Sequence, residues 1–185
     1  SEYLTALEKE IDFVSSFYRD KILDTIYIGG GTPTTLKAPE LERLLSYIET
    51  KLDLSHLQEF TVEAGRADSI TRDKLEVLRK HGVTRISVNP QTMNQKTLDL
   101  IGRRHTVENV KEKFHIAREL GFDNINMDLI MGLPGEDLDD VKHTLEEIEA
   151  LKPDSLTVHS LAIKRAARLN MFKEEYADLK INNTP

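Results

Sequence analysis

The chain has 185 residues, 39% of them apolar and 31% charged, with a formal net charge of -7. That length is enough for one domain with a sizeable core, and the acidic balance argues against a nucleic-acid binder that works through phosphate contacts. The chain contains no cysteine, which excludes disulfides and thiolate metal sites within it; no apolar run approaches the ~20 residues that span a bilayer, and no signal peptide opens the sequence.

Residues 1 to about 19 read as an amphipathic helix, with Leu4, Leu7, Ile11, Val14 and Tyr18 at helical spacing. A short β-type run, Thr25 to Ile28, stops at Gly29-Gly30-Gly31, and Thr32-Pro33-Thr34 follows. Three consecutive glycines are entropically costly, and either a flexible turn or a binding loop accounts for them. Glu40 to Leu52 is the next helix, and Phe60 to Glu63 a strand that ends in Ala64-Gly65-Arg66. Thr71 is placed to N-cap a helix carrying Leu75 and Leu78, with Gly82 as its stop. Thr84 to Val88 is a strand ending in Asn89-Pro90-Gln91, followed by a short helix with Leu98 and Ile101 and a longer one from about Thr106 to Leu120. Asn124 to Ile130 is a strand ending in Gly132-Leu133-Pro134-Gly135. A helix marked by Leu138, Val141, Leu145, Ile148 and Leu151 follows, then a strand at Ser155 to Val158. The basic residues Lys164, Arg165 and Arg168 lead into a final helix through Met171 to Leu179.

Strands alternating with helical patterns indicate a parallel sheet in a single α/β domain over residues 1–185. The strands read as short and apolar, as in a sheet covered by helices. A doubly wound sheet and a (β/α) barrel both fit, and both bind ligands at the C-terminal ends of their strands. Those ends carry Gly29 to Thr32, Glu63 with Arg66, Asn89-Pro90-Gln91, Asp128 with Gly132 to Gly135, and His159 to Ala162. Any one such polar residue is usually structural; five groups converging on one space point to a site.

Familiar nucleotide motifs do not explain it. Gly29 to Thr34 begins like G-x-G-x-x-G but has threonine at the sixth position, and neither a P-loop nor a G-x-S-x-G elbow occurs. No H-x-x-x-H pair suggests a helix-borne zinc site. What remains is a glycine loop with free backbone groups, two carboxylates, a glutamine and an arginine. That set suits a zwitterionic, hydroxyl-bearing ligand: carbonyls accept from an ammonium, arginine holds a carboxylate, and a carboxylate accepts ribose hydroxyls.

Ile26 to Thr34 resembles the second-strand motif of radical S-adenosylmethionine (SAM) enzymes. Its Gly-Gly-Gly-Thr-Pro-Thr form is similar to that of the oxygen-independent coproporphyrinogen III oxidases and their heme-chaperone relatives. Ile101 to His105, Asn126 to Gly135 and Pro153 to Val158 agree with this over almost the whole chain. Val62 to Arg66, Asn89 to Gln91 and Ala162 to Arg165 look most like the coproporphyrinogen-dehydrogenase branch. The resemblance implies a partial (β/α) TIM-like barrel with parallel strands. It implies SAM bound by Gly30, Gly31 and Thr32 (ammonium), Glu63 (ribose), Gln91, Arg103 (carboxylate), Asp128 and Ala162 (adenine). It also implies a 4Fe-4S cluster, a tetrapyrrole substrate, an electron donor to the cluster, and a cytoplasmic protein with no nucleic-acid partner and no membrane span.

The family holds its cluster with a C-x-x-x-C-x-x-C loop after the first strand, and this chain lacks cysteine. The expectation is a piece of a longer protein, with first strand and cluster loop upstream and a substrate region downstream. No catalytic or metal-ligating residue is then expected here, and the piece alone is expected to be inactive. Where oxidases usually show Asp-Pro or Asn-Pro after the glutamate, this chain has Ala64-Gly65-Arg66, a departure that bears on the substrate more than on SAM. In the heme-chaperone alternative, His105 or His159 would be candidate heme ligands. Lys164, Arg165 and Arg168 are candidates to meet substrate propionates, with a solvated helix start as the plainer account.

Overall fold

The computed structural model describes residues 1–162, so the expected final helix and the basic residues Lys164, Arg165 and Arg168 lie outside the described residues. In chain order the elements are α1 (Glu2–Tyr18), β1 (Thr25–Ile28), α2 (Ala38–Lys51), β2 (Glu59–Gly65), α3 (Arg72–Lys80), β3 (Arg85–Gln91), α4 (Gln95–Leu100), α5 (Val107–Glu119), β4 (Ile125–Met131), α6 (Leu138–Leu151) and β5 (Ser155–Ser160). The five strands form one sheet in the order β1-β2-β3-β4-β5, every neighbouring pair parallel. A doubly wound sheet reverses its strand order near the middle; this one never does, and the sequential order is that of a barrel wall.

The strands, mostly apolar on the sequence reading, alternate an apolar with a polar face. Register places Ile26, Phe60, Ile86 and Ile125 in one set and Tyr27, Thr61 and Arg85 in the other. The first set, with Val62, Val88, Met127 and Leu129, packs against Leu41 and Leu45 of α2, Leu75 and Leu78 of α3, and Val110, Phe114 and Ala117 of α5. The second set continues through Glu63, Ser87, Asn126 and Ser155, then Asp128 beside Thr157. The helices thus cover one face, and the other is a polar wall. Period-two alternation, as in Ile26-Tyr27-Ile28, is the local cause.

Caps set the helix starts nearest the polar wall. Thr106 Oγ1 accepts from Asn109 N at 3.1 Å, and Asn109 Oδ1 accepts from Thr106 N at 3.2 Å, opening α5. Asp137 Oδ1 accepts from Asp139 N and Asp140 N at 2.9 and 3.1 Å, opening α6. Thr71 does occupy the N-cap position of α3, but its hydroxyl turns to the Asp73 carboxylate and caps no amide. Gly82 and Gly121 follow α3 and α5 with φ of 73° and 85°, the left-handed turn that glycine adopts without penalty.

The expected stripe on α1 is covered only in part. Leu4 is buried, but Val14 and Tyr18 are 41% and 45% exposed, because α2 meets the first half of α1 through Leu44 and Ile48 and no described element covers the second half. At the centre, Phe114 is 1% exposed within the main cluster. Phe114→Ala is expected to cost about 3–5 kcal/mol through lost transfer free energy and a residual cavity, read as a drop in the denaturation midpoint without a change in slope.

Candidate functional site

The glycine loop closes β1 and docks on the end of β2. Glu63 Oε2 accepts from Gly30 N at 3.3 Å and from Tyr27 Oη at 3.3 Å. The charge of Glu63, its hydrogen bond and burial together raise the Tyr27 pKa above its ordinary value, burial most, and the Asp128 carboxylate adds to the effect. Strand register puts Tyr27, Glu63 and Asp128 on the same polar wall. Gly30 has φ 111°, which demands glycine, while a Cβ at Gly30 or Gly31 would meet nothing within 4 Å. The space beyond these two residues is open to a ligand. A Cβ at Gly29 would instead collide with the Tyr27 ring.

The other half of the motif is structural. Thr34 is fully buried, and its hydroxyl lies 2.5 Å from Ala64 O and 2.6 Å from Ser69 Oγ. Lys74 Nζ donates to Thr34 O at 2.6 Å and to Ser69 O at 2.9 Å, and burial lowers its pKa. Thr32 is half-buried and its carbonyl accepts from Thr35 N at 2.9 Å.

Asp128 is half-buried on β4. Its Oδ1 accepts from Asn126 Nδ2 at 2.6 Å, and Asn126 Oδ1 accepts from Ser155 Oγ at 2.8 Å and Thr157 Oγ1 at 3.2 Å. Asp128 is thus oriented along its own strand, its second oxygen left for a ligand. Ser87 Oγ and Asn89 Oδ1 on β3 are buried without partners among the described residues.

β3 runs two residues further than Asn89, to Gln91, which has φ 72°. A left-handed backbone costs a non-glycine residue about 1–2 kcal/mol and is held only where its surroundings over-determine it. Register breaks between Val88 and Gln91 at this point, so the strand ends in a deliberate change of direction.

Arg103 follows α4 and is half-buried. Its side chain has no ion pair or hydrogen bond among the described residues. Burial lowers its pKa, the like charge of Arg66 lowers it further, and Asp68 opposes both. Arg66 itself is held by Asp68 through Nε–Oδ1 at 3.2 Å and Nη2–Oδ2 at 3.0 Å. His105 is 1% exposed, with Nε2 3.2 Å from Pro90 O. Burial lowers its pKa, and a carbonyl can only accept, so Nε2 carries the proton of this hydrogen bond. His159 and Ala162 are exposed at the end of β5.

The geometry therefore brings Gly30, Gly31, Glu63 and Asp128 onto one wall, and Arg103 beside the Arg66–Asp68 pair at the end of β2. Sequence reasoning missed the tyrosine that holds Glu63, the Asn126 relay, and the buried Glu136 that accepts from Thr92 and Asn94; the alternation of β1 and β4 was the available signal for the first two. No group of three or more metal-ligating side chains occurs among the described residues.

The described residues thus form an α/β half-barrel with an acidic, glycine-bordered polar wall. The family model "Radical SAM superfamily" matches residues 4–148, and the chain belongs to that superfamily. It is 46% identical over 177 residues to the oxygen-independent coproporphyrinogen-III oxidase-like protein HemZ of Bacillus subtilis, covering 94% of this chain and 35% of that protein. It is 40% identical to the heme chaperone HemW of the same organism, covering 88% of this chain and 43% of that protein. The solved structure of coproporphyrinogen III oxidase (HemN) from Escherichia coli, a radical SAM enzyme, superposes with a TM-score of 0.86 at 30% identity, over 97% of this chain and 41% of that one. The chain thus spans less than half the length of these relatives, and its fold is the expected partial radical-SAM barrel. No described helix is long and apolar enough to cross a membrane.

Proposed function

We propose that this chain is the SAM-holding wall of an enzyme similar to oxygen-independent coproporphyrinogen III oxidase, acting on a tetrapyrrole with an external electron donor. The observation that carries the reading is the pairing of Glu63 with the Gly30 amide beside open space, in a chain so similar to HemZ. The residues fit SAM by their donor set. Glu63 and Asp128 accept ribose hydroxyls, and carbonyls of the Gly30–Gly31 loop and Thr32 receive the ammonium. Arg103 holds the carboxylate, Gln91 orients the nucleoside, and the backbone at Ala162 touches adenine. Bound SAM supplies one-electron-initiated hydrogen abstraction. With no cysteine, the chain does not fit a 4Fe-4S cluster as its own ligand set, and no step is derived through one. What these residues do is bind, orient and keep water from the sugar.

The direct test is the full-length protein, reconstituted anaerobically and given coproporphyrinogen III and SAM. Oxidative loss of carbon dioxide from propionates, giving vinyl groups, is the expected result. The similarity to HemW favours a second reading, a heme-binding chaperone: a Soret band on adding heme, with no vinyl product, would select it. His105 is a poor ligand for heme in that case, because it is buried with Nε2 committed to Pro90 O; His159 is exposed.

A further inference from the structure

We propose that Glu136 is a positioning residue for Gln91, an inference that rests on reading Gln91 as a SAM contact. Gln91 stands in a left-handed backbone conformation at φ 72°, and its neighbours are bolted down on both sides. Upstream, Pro90 O receives His105 Nε2 at 3.2 Å. Downstream, Thr92 Oγ1 donates to Glu136 Oε1 at 2.5 Å, and both residues are buried. Asn94 Nδ2 lies within 3.2 Å of the same oxygen, within 3.1 Å of Thr144 Oγ1 and 2.9 Å from Asp140 O. Met93 N donates to Thr144 Oγ1 at 3.1 Å.

Glu136 has no cationic partner among the described residues, so its carboxylate is answered by neutral donors alone. An uncompensated buried carboxylate is expensive, and its donors are correspondingly hard to pull away. The result is a clamp between the loop before α6 and the segment after β3. Removing Glu136 leaves residues 92–94 held only by Thr144 and Asp140, and Gln91 relaxes out of a conformation that only its surroundings maintain. The effect on ligand binding then passes through Gln91, since Glu136 faces Thr92 and Asn94 rather than the polar wall.

The test is a double-mutant cycle on SAM affinity in the full-length protein, read by calorimetry, with thermal midpoints measured alongside. Glu136→Ala is expected to weaken SAM by about tenfold, and Glu136→Gln, which keeps an acceptor oxygen, to recover most of that. In a Gln91→Ala background, Glu136→Ala is expected to add less than about twofold, because contacts made through one residue do not add. If Glu136→Ala fails to fold, Thr144→Val, which removes the acceptor of Met93 N, carries the same expectation. Additive losses, or unchanged affinity in Glu136→Ala while Gln91→Ala weakens binding, would overturn the inference. Unchanged affinity in Gln91→Ala would instead overturn the assignment of Gln91 as a contact, and with it the inference.

Discussion

Glu63→Ala, in the full-length protein, should weaken SAM binding by about 30-fold or more, the equivalent of losing roughly one charge-assisted hydrogen bond of about 2 kcal/mol. The carboxylate is half-buried, and one of its oxygens is already used by Gly30 N and Tyr27 Oη at 3.3 Å each. Those contacts fix the side chain before a ligand arrives, so its second oxygen is offered without an ordering cost. Removing the side chain also releases the glycine loop from the end of β2, and both effects act in the same direction. Glu63→Gln keeps the shape and one acceptor, so its loss should be intermediate. Tyr27 provides an internal check: without the neighbouring negative charge its phenol should titrate at lower pH than in the wild type. Calorimetry with SAM and an absorbance titration of the phenol measure the two effects.

Arg103→Ala should weaken SAM by a similar factor, about 30- to 150-fold for a lost charge-assisted contact of 2–3 kcal/mol. The side chain is half-buried, lies near the like charge of Arg66 and has no partner among the described residues. A cation held in that state is a destabilised one that an anion relieves. Arg103→Lys should recover only part of the loss, because an ammonium cannot engage a carboxylate with two parallel bonds. A second sign follows from the same geometry. Without SAM, Arg103→Ala should leave the thermal midpoint unchanged or raise it, since a half-buried, repelled charge is gone. With saturating SAM the order should reverse, because only the wild type gains the full binding stabilisation. A variant that lost midpoint equally with and without SAM would mark Arg103 as structural.

Strand ends were legible in the sequence because glycine and proline punctuate them. The run Gly29-Gly30-Gly31 and the stop at Gly132-Leu133-Pro134-Gly135 fix where β1 and β4 finish, and Gly82 and Gly121 end helices by a conformation that few other residues adopt. Asn89-Pro90-Gln91 misled by three residues, because its proline reads as a strand end after Val88 while the backbone continues through a left-handed Gln91. Periodicity could not choose between a doubly wound sheet and a barrel, since it reports a local face and not the order of strands; the motif resemblance chose the barrel, and the sequential strand order agrees.

The site was legible as residue types and not as roles. Glu63 and Asp128 stood out because carboxylates have no packing reason to close strands, whereas Arg103 came only from the resemblance carried by Ile101 to His105. Their partners did not stand out. Tyr27, Asn126 and Thr157 sit on the polar wall by alternation and register, and long-range register is not written in any one segment. Thr34 is a buried bolt to Ala64 O, a role that its residue type does not announce. Nothing in the sequence marks Glu136; the approach of Thr92 and Asn94 from 42 or more positions away brings it against the segment after β3.

The most direct measurement is a crystal structure of the full-length protein with SAM bound. The account predicts ribose hydroxyls within hydrogen-bond distance of Glu63, the methionyl carboxylate on Arg103, and the ammonium against the carbonyls of the Gly30–Gly31 loop. SAM bound to this chain with neither Glu63 nor Arg103 in contact would contradict it.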